Sequence, residues 1–265
     1  MRRTVSSSLT SPVGDTASIV LSVAVAANTP CSEQLDITLD GAPLQYSELT
    51  SDGLTRLHVL HGVQPGMLEV NYSATIEGLG DPAPVTDLDR IVYTRPSRYC
   101  DSDTMMPVAR ATFGTKTGKD LLDAVSSWVG QQLTYVSGSS RPTDGAVQTY
   151  LARTGVCRDY AHLCIALLRA LNVPARLVSV FAPGLSPMDF HAVAEAVVDD
   201  QWCVVDATAM APRTSLVRIA TGRDAADTSF MTTLSGIANL GQMTVTAVAE
   251  DGLPDDDVTL LTSLR

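Results

Sequence analysis

Three residue types that together can transfer an acyl group occur in the order Cys157, His191 and Asp206. Cys157 follows Gly155-Val156 at the point where a helical pattern begins, so its sulfur sits in a first turn whose backbone amides are unpaired, a setting that favours the thiolate. A cysteine taken at random is more often a small buried residue, so the argument for a nucleophile rests on the two partners. His191 opens one strand-like run, Asp206 closes the next, and Asp199-Asp200 marks a reversal between them. A two-residue hairpin loop there sets Val198 opposite Gln201, Val193 opposite Asp206 and His191 opposite Thr208. His191 and Asp206 then share a face as diagonal neighbours, roughly 7 to 8 Å apart along the backbone. A three-residue loop would put Asp206 on the other face. A carboxylate beside an imidazole selects its tautomer and stabilises the imidazolium. The thiolate can then attack an amide carbon, form an acyl-enzyme and pass the acyl group to water or an amine.

The other candidates read as structural. Cys164 lies among Leu163 and Ile165, two helical turns beyond Cys157, and is expected in the core. His162 lies five positions from Cys157, roughly 140° around a helix, and points away from it. Cys203 is out of phase with Asp206 and should face the opposite layer. His58, His61, His162 and His191 lack the spacing of a metal site with the cysteines, and no Cys-x-x-Cys occurs. The Asp255-Asp256-Asp257 run lacks the alternation and glycine of a calcium loop. No metal or cofactor is expected.

The elements that must position these residues fall into two parts. Between residues 17 and 95 short strands are expected at Ile19 to Val25, Leu35 to Leu39, Leu54 to Leu60, Met67 to Ile76 and Arg90 to Thr94. Turns at Asp40-Gly41, Asp52-Gly53, Pro65-Gly66 and Gly78 to Pro84 separate them. This part, residues 1–98, reads as a β-sandwich-like domain. Pro96, Ser97 and the polar stretch through Asp103 form a hinge into a second domain, residues 99–265. There, helices are expected at Lys119 to Leu133, Asp144 to Arg153 and Cys157 to Leu171, the last stopped by Asn172 and Pro174. Strands follow at Arg176 to Phe181, His191 to Val198, Trp202 to Val205 and Met243 to Val248. Helices followed by antiparallel strands indicate an α+β class.

Composition narrows the setting. With 265 residues, 45% of them apolar, the chain can bury a large core without staples. Its five cysteines are too few and scattered for a disulfide framework, which points to the cytoplasm. A net charge of −11 with 18 dispersed Lys and Arg argues against a nucleic-acid partner. The apolar run Ile19 to Ala27 lies far from Arg2 and Arg3, unlike a secretory signal. No window reaches the roughly 18 apolar residues a membrane span needs.

Three blocks, Gly155-Val156-Cys157-Arg158-Asp159-Tyr160-Ala161, Phe190-His191-Ala192 and Val205-Asp206-Ala207-Thr208, resemble the bacterial branch of the transglutaminase-like superfamily in order and spacing. Gly222-Arg223-Asp224-Ala225-Ala226-Asp227 also looks like bacterial members, and the resemblance covers roughly residues 115 to 250. It implies a papain-like core, with the cysteine at the start of a buried helix packed on an antiparallel sheet that carries the histidine and aspartate. It further implies an oxyanion donor, either the Cys157 amide or an aromatic upstream of the cysteine that maps onto Tyr135. The calcium site of animal transglutaminases does not carry over. The preferred reading is a cysteine hydrolase, a peptidase or amidase acting on a peptide, isopeptide or side-chain amide of a peptide or protein substrate. The alternatives are transglutaminase-type transfer to an amine and a non-enzymatic interaction protein with a residual triad. Transfer requires exclusion of water from the acyl-enzyme, and with aromatic residues at 5% few rigid side chains are present to wall an acceptor tunnel.

Overall fold

A computed structural model describes residues 1–51 and 54–265; the turn expected at Asp52-Gly53 lies outside the described residues. The N-terminal part is a curled antiparallel sheet of β1 (Arg2–Leu21), β2 (Cys31–Leu39), β3 (Ala42–Pro43), β4 (Ser47–Thr50), β5 (Arg56–Val63) and β6 (Gly66–Glu77), in the order β3-β2-β6-β1-β5-β4. It matches the sandwich-like expectation in class, but β1 starts far earlier than Ile19. Its inward positions include Arg3, Ser7 and Ser11 beside Val5, Leu9 and Val13. Inward serines dilute the apolar alternation that would have announced the strand.

Helices follow: α1 (Asp87–Val92), α2 (Ser102–Phe113), α3 (Gly118–Gln132), α4 (Ala146–Ala152) and α5 (Cys157–Ala170), with two short strands, β7 (Thr134–Tyr135) and β8 (Thr154–Gly155), between them. The segment Arg90 to Thr94, expected as a strand, belongs largely to α1. There Thr86 caps the N-terminus by accepting the Asp89 N–H at 3.1 Å, while Asp89 returns a bond to the Thr86 N–H at 2.9 Å. Helix α2 takes up the end of the expected hinge region, with Met105, Ala109 and Phe113 buried at helical spacing. Pro107 had obscured it.

A second antiparallel sheet holds β9 (Ala175–Phe181), β10 (Phe190–Val198), β11 (Gln201–Val205) and β12 (Val217–Gly222) in the order β11-β10-β9-β12. One core lies between this sheet and α5, where Leu163, Cys164, Leu167 and Leu168 meet Leu177, Ala194, Ala196 and Val205. Another joins the two sheets, with Phe181, Val217 and Ile219 packed against Leu9, Ile19, Leu21 and Ile76. The last strands, β13 (Met231–Ala238) and β14 (Met243–Ala249), pair antiparallel with β1. Residues 231–249 thus follow the boundary read at 98/99 in sequence yet complete the first sheet in space. Among the described residues no helix is long and apolar enough to cross a membrane.

Candidate active site

The site is assembled from three places in the chain. Cys157 is the first residue of α5, half-buried, with Val156 as N-cap. Asp159 fixes this turn: its carboxylate accepts the Val156 N–H at 2.8 Å and the Ser140 hydroxyl at 2.5 Å, and it pairs with Arg158 at 3.0 Å. Gly155 is required by contact, since a Cβ there would lie 2.6 Å from the Asp159 Cβ. The glycine and aspartate of the Gly-Val-Cys-Arg-Asp block therefore belong to one device, a tight entry that aims the cysteine.

The hairpin forms with the two-residue loop. Asp199 and Asp200 have φ of 50° and 59°, the left-handed pair of a type I′ turn, and Val198 opposes Gln201. The ladder runs to Ala194 opposite Val205; the expected pairings of Val193 with Asp206 and His191 with Thr208 lie beyond it, where the chain leaves the strand and bends at Ala207-Thr208. His191 Nε2 lies 3.7 Å from Asp206 Oδ2 and 3.4 Å from Thr208 Oγ1. The first distance is that of an ion pair rather than a hydrogen bond, and Asp206 Oδ2 and His191 Nδ1 are buried without a hydrogen-bond partner. Thr208 holds the other carboxylate oxygen twice, through its N–H at 2.9 Å and its hydroxyl at 2.7 Å. Its hydroxyl proton is thereby used, so toward the imidazole it can only accept, which places the Nε2 proton there and leaves Nδ1 for exchange with a thiol.

Electrostatics follow the same geometry. Burial by itself would lower the His191 pKa, but Asp206 and the Cys157 sulfur outweigh it and push the ring up to about 10. Asp206 is held below the usual carboxylate range: burial opposes this, and His191 and Thr208 prevail. Tyr135 reaches the site because β7 lies parallel to β8, with Tyr135 beside Gly155. Burial, then the charge of Cys157, pushes the phenol up to about 12, and the Cys157 N–H and thiol both bear on its oxygen. Cys157, His191, Asp206 and Tyr135 are thus brought together.

The residues set aside lie elsewhere. His162 is fully buried, accepts the Ala225 N–H at 3.1 Å and stacks on Tyr99 with ring centres 5.5 Å apart. Its partner loop, Gly222 to Asp227, is anchored by Asp224, which accepts the Tyr99 N–H at 2.8 Å. Cys164 and Cys203 are buried in the core under α5, and Val204 packs in the cluster on the other face of the sheet. His58 pairs with Glu48 at 3.1 Å. Trp202 lies on the far part of the hairpin, over Arg176 at 3.7 Å. Two contributors were not singled out from sequence: Thr208, legible as the residue opposite His191, and Ser140, whose contact with Asp159 spans a loop and had no local signal.

A cysteine at a helix start facing a histidine and a carboxylate on an adjacent sheet is the arrangement of thiol-dependent acyl-transfer proteins. The sequence profile of the transglutaminase-like superfamily matches residues 107–207. A protein from Cytophaga hutchinsonii, provisionally described as a cysteine protease, superposes with a TM-score of 0.84 at 30% identity, covering 100% of this chain and 93% of that one. This chain belongs to the transglutaminase-like superfamily. A Mycobacterium tuberculosis protein described as uncharacterised is 42% identical over 60 residues, 23% of this chain and 19% of that protein. The match therefore spans about a fifth of that relative's length. The periplasmic domain of TgpA from Pseudomonas aeruginosa aligns over 73% of this chain and 88% of its own at 17% identity, with a TM-score of 0.40.

Proposed function

We propose that this chain is a cysteine hydrolase that cleaves a peptide, isopeptide or side-chain amide bond through a thioester on Cys157. The observation that carries the reading is the convergence of the Cys157 sulfur and the Asp206 carboxylate on one buried ring, whose pKa they raise to about 10. A ring that keeps its proton across the neutral range is equipped as general acid for the leaving amine. The sulfur attacks the carbonyl carbon and the carbonyl electrons move onto oxygen, where the Tyr135 hydroxyl and the Cys157 N–H stand to meet the charge. Collapse of that intermediate breaks the C–N bond, and His191 gives its proton to the departing amine. In the second half His191 takes a proton from water, hydroxide adds to the thioester, and the acid leaves as the sulfur is restored.

Water is favoured over an amine as acceptor because the wall of the site is open. Tyr135 is 40% exposed, and an acyl-enzyme with such access is not shielded as transfer requires. All five cysteines are free thiols, which supports a reducing compartment such as the cytoplasm.

The test is intact-protein mass spectrometry after exposure to a library of amide-mimicking electrophiles. A single adduct on Cys157, lost in Cys157→Ala, is expected. On any amide thereby identified, Tyr135→Phe is expected to lower kcat about 10- to 100-fold with little change in KM. Turnover unchanged in Cys157→Ala refutes the reading. Predominant incorporation of an added primary amine keeps the triad but replaces hydrolysis with transfer.

A further inference from the structure

Two residues before His191 stands a carboxylate that the chemistry above does not use. Asp189 is exposed at the end of the loop that leads into β10. Asp189 directly precedes β10, and two residues along the chain its Cα lies no more than about 7 Å from that of His191. Its Oδ1 accepts the Phe190 N–H at 2.7 Å, which fixes the group in place. The other oxygen has no hydrogen-bond or ion-pair partner among the described residues. Phe190 is itself wedged between Phe181 and Phe230, with ring centres 5.5 and 5.3 Å away, so the peptide that holds Asp189 is anchored in the core.

Asp189 also falls within the field of the site. Its charge bears on the Tyr135 phenol. Loss of solvation raises its own pKa, against the Phe190 N–H and the charge of His191. Its chain neighbour Met188 is exposed, as is Val136 next to Tyr135, which supplies apolar surface near both residues. The cation that bears on it, His191, is committed to Asp206.

We propose that Asp189 is the specificity residue of this cleft and holds a cationic group of the amide substrate, an ammonium on an aliphatic stem, beside Cys157; the assignment rests on the hydrolase reading. A carboxylate with one oxygen fixed and one open is preorganised for an ammonium, and the apolar rim suits the methylene stem. The preferred substrates are then amides of lysine-like chains rather than acidic or neutral ones.

The first test needs no substrate. Cys157 is modified at low ionic strength with the trimethylammonium-ethyl methanethiosulfonate cation and, separately, with the sulfonatoethyl anion. Rates are read by peptide mapping, with the half-buried Cys31 as internal reference. In Asp189→Asn, which keeps an oxygen to accept the Phe190 N–H, the cation-to-anion rate ratio at Cys157 is expected to fall about tenfold while that at Cys31 holds. An unchanged ratio at Cys157 overturns the proposal. The second test compares internally quenched peptides that carry lysine or norleucine at each position flanking the scissile bond. The lysine peptides are expected to be cleaved with kcat/KM about tenfold higher, mainly through KM, and that preference is expected to collapse in Asp189→Asn. Equal cleavage of both sets by the unmodified enzyme overturns the specificity assignment alone. Cleavage of neither set, or the same cleavage by Cys157→Ala, brings down the hydrolase reading and this inference with it.

Discussion

At the scale of single residues, the site depends on how one carboxylate is held. Asp206 would float between orientations if Thr208 did not take one of its oxygens with both an amide and a hydroxyl. The second oxygen is left to His191, at a distance that needs only a few tenths of an ångström to become a hydrogen bond. Such loosening is common in sites without substrate and tightens as charge develops. Asp206→Asn is expected to lower kcat by about 10²- to 10⁴-fold, since the amide can present a donor to the ring and favour the wrong tautomer. The same change should move the alkaline limb of the activity profile. In the unmodified protein activity is expected to fall as pH rises through about 10, where His191 loses its proton, and without the carboxylate that limb is expected to shift toward 6.5. A limb that stays in place in a pH–kcat profile would show that Asp206 does not govern the ring. The stability linked to His191 has the same sign, since it is fully present below 6.5 and lost as pH rises through about 10.

At the scale of elements, the hairpin of β10 and β11 sets the register and α5 sets the nucleophile. The side chains of a strand alternate, so one extra residue in the turn reverses the face of everything beyond it. Inserting a single glycine between Asp199 and Asp200 is therefore expected to abolish activity while leaving the fold largely in place. Replacing Asp199-Asp200 with Asn-Gly should retain activity and stabilise the turn by about 0.5–1 kcal/mol, because glycine adopts the left-handed conformation now imposed on Asp200. Activity assays with thermal melts of both variants check this; full activity in the insertion would disprove the register argument. Helix α5 was legible from its apolar stripe and from the asparagine and proline after it. Helix α1 was not, because Arg90 to Thr94 has strand-like content and only the Thr86–Asp89 cap reveals the helix.

Across the whole molecule, buried polar groups fix neighbouring elements, and in the second sheet a charge cluster ties β9, β10 and β12 together. Glu195 sits between Arg176 and Arg218, with contacts of 2.7 and 2.6 Å. Burial alone would raise its pKa, yet the two guanidiniums hold it down to about 2. His162 works in the opposite sense. Burial, first among the causes, lowers it to about 4 against an ordinary 6.5, so the fold holds it neutral as acceptor for the Ala225 N–H. Stability from this residue is present above pH 6.5 and lost as pH falls through about 4, in total on the order of 3 kcal/mol. His162→Gln, whose side-chain oxygen can accept the same N–H without titrating, is expected to flatten the decline of stability between pH 6.5 and 4. Chemical denaturation at several pH values measures it, and parallel curves for the two proteins would contradict the assignment.

The sequence by itself determined the chemistry-bearing blocks, the cysteine at a helix start, the shared face of His191 and Asp206, and the α+β class. The site blocks are short-range facts, set by alternation along a strand, by helical spacing and by a turn of two aspartates, each complete within one helix start or one hairpin, and the class follows from the order of the elements. Only the tertiary structure decided that β13 and β14 close on β1, that Ser140 reaches Asp159, and that Tyr135 meets Cys157 through a parallel pair of two-residue strands. Those contacts join positions far apart in the chain through backbone hydrogen bonds and packing that carry no residue-specific code. The long strand β1 shows the reason most plainly: its inward serines and arginine are paired or covered by partners far along the chain, such as Leu68 opposite Ser11 and Ile76 opposite Arg3, so its place in the sheet depends on those partners rather than on its own pattern.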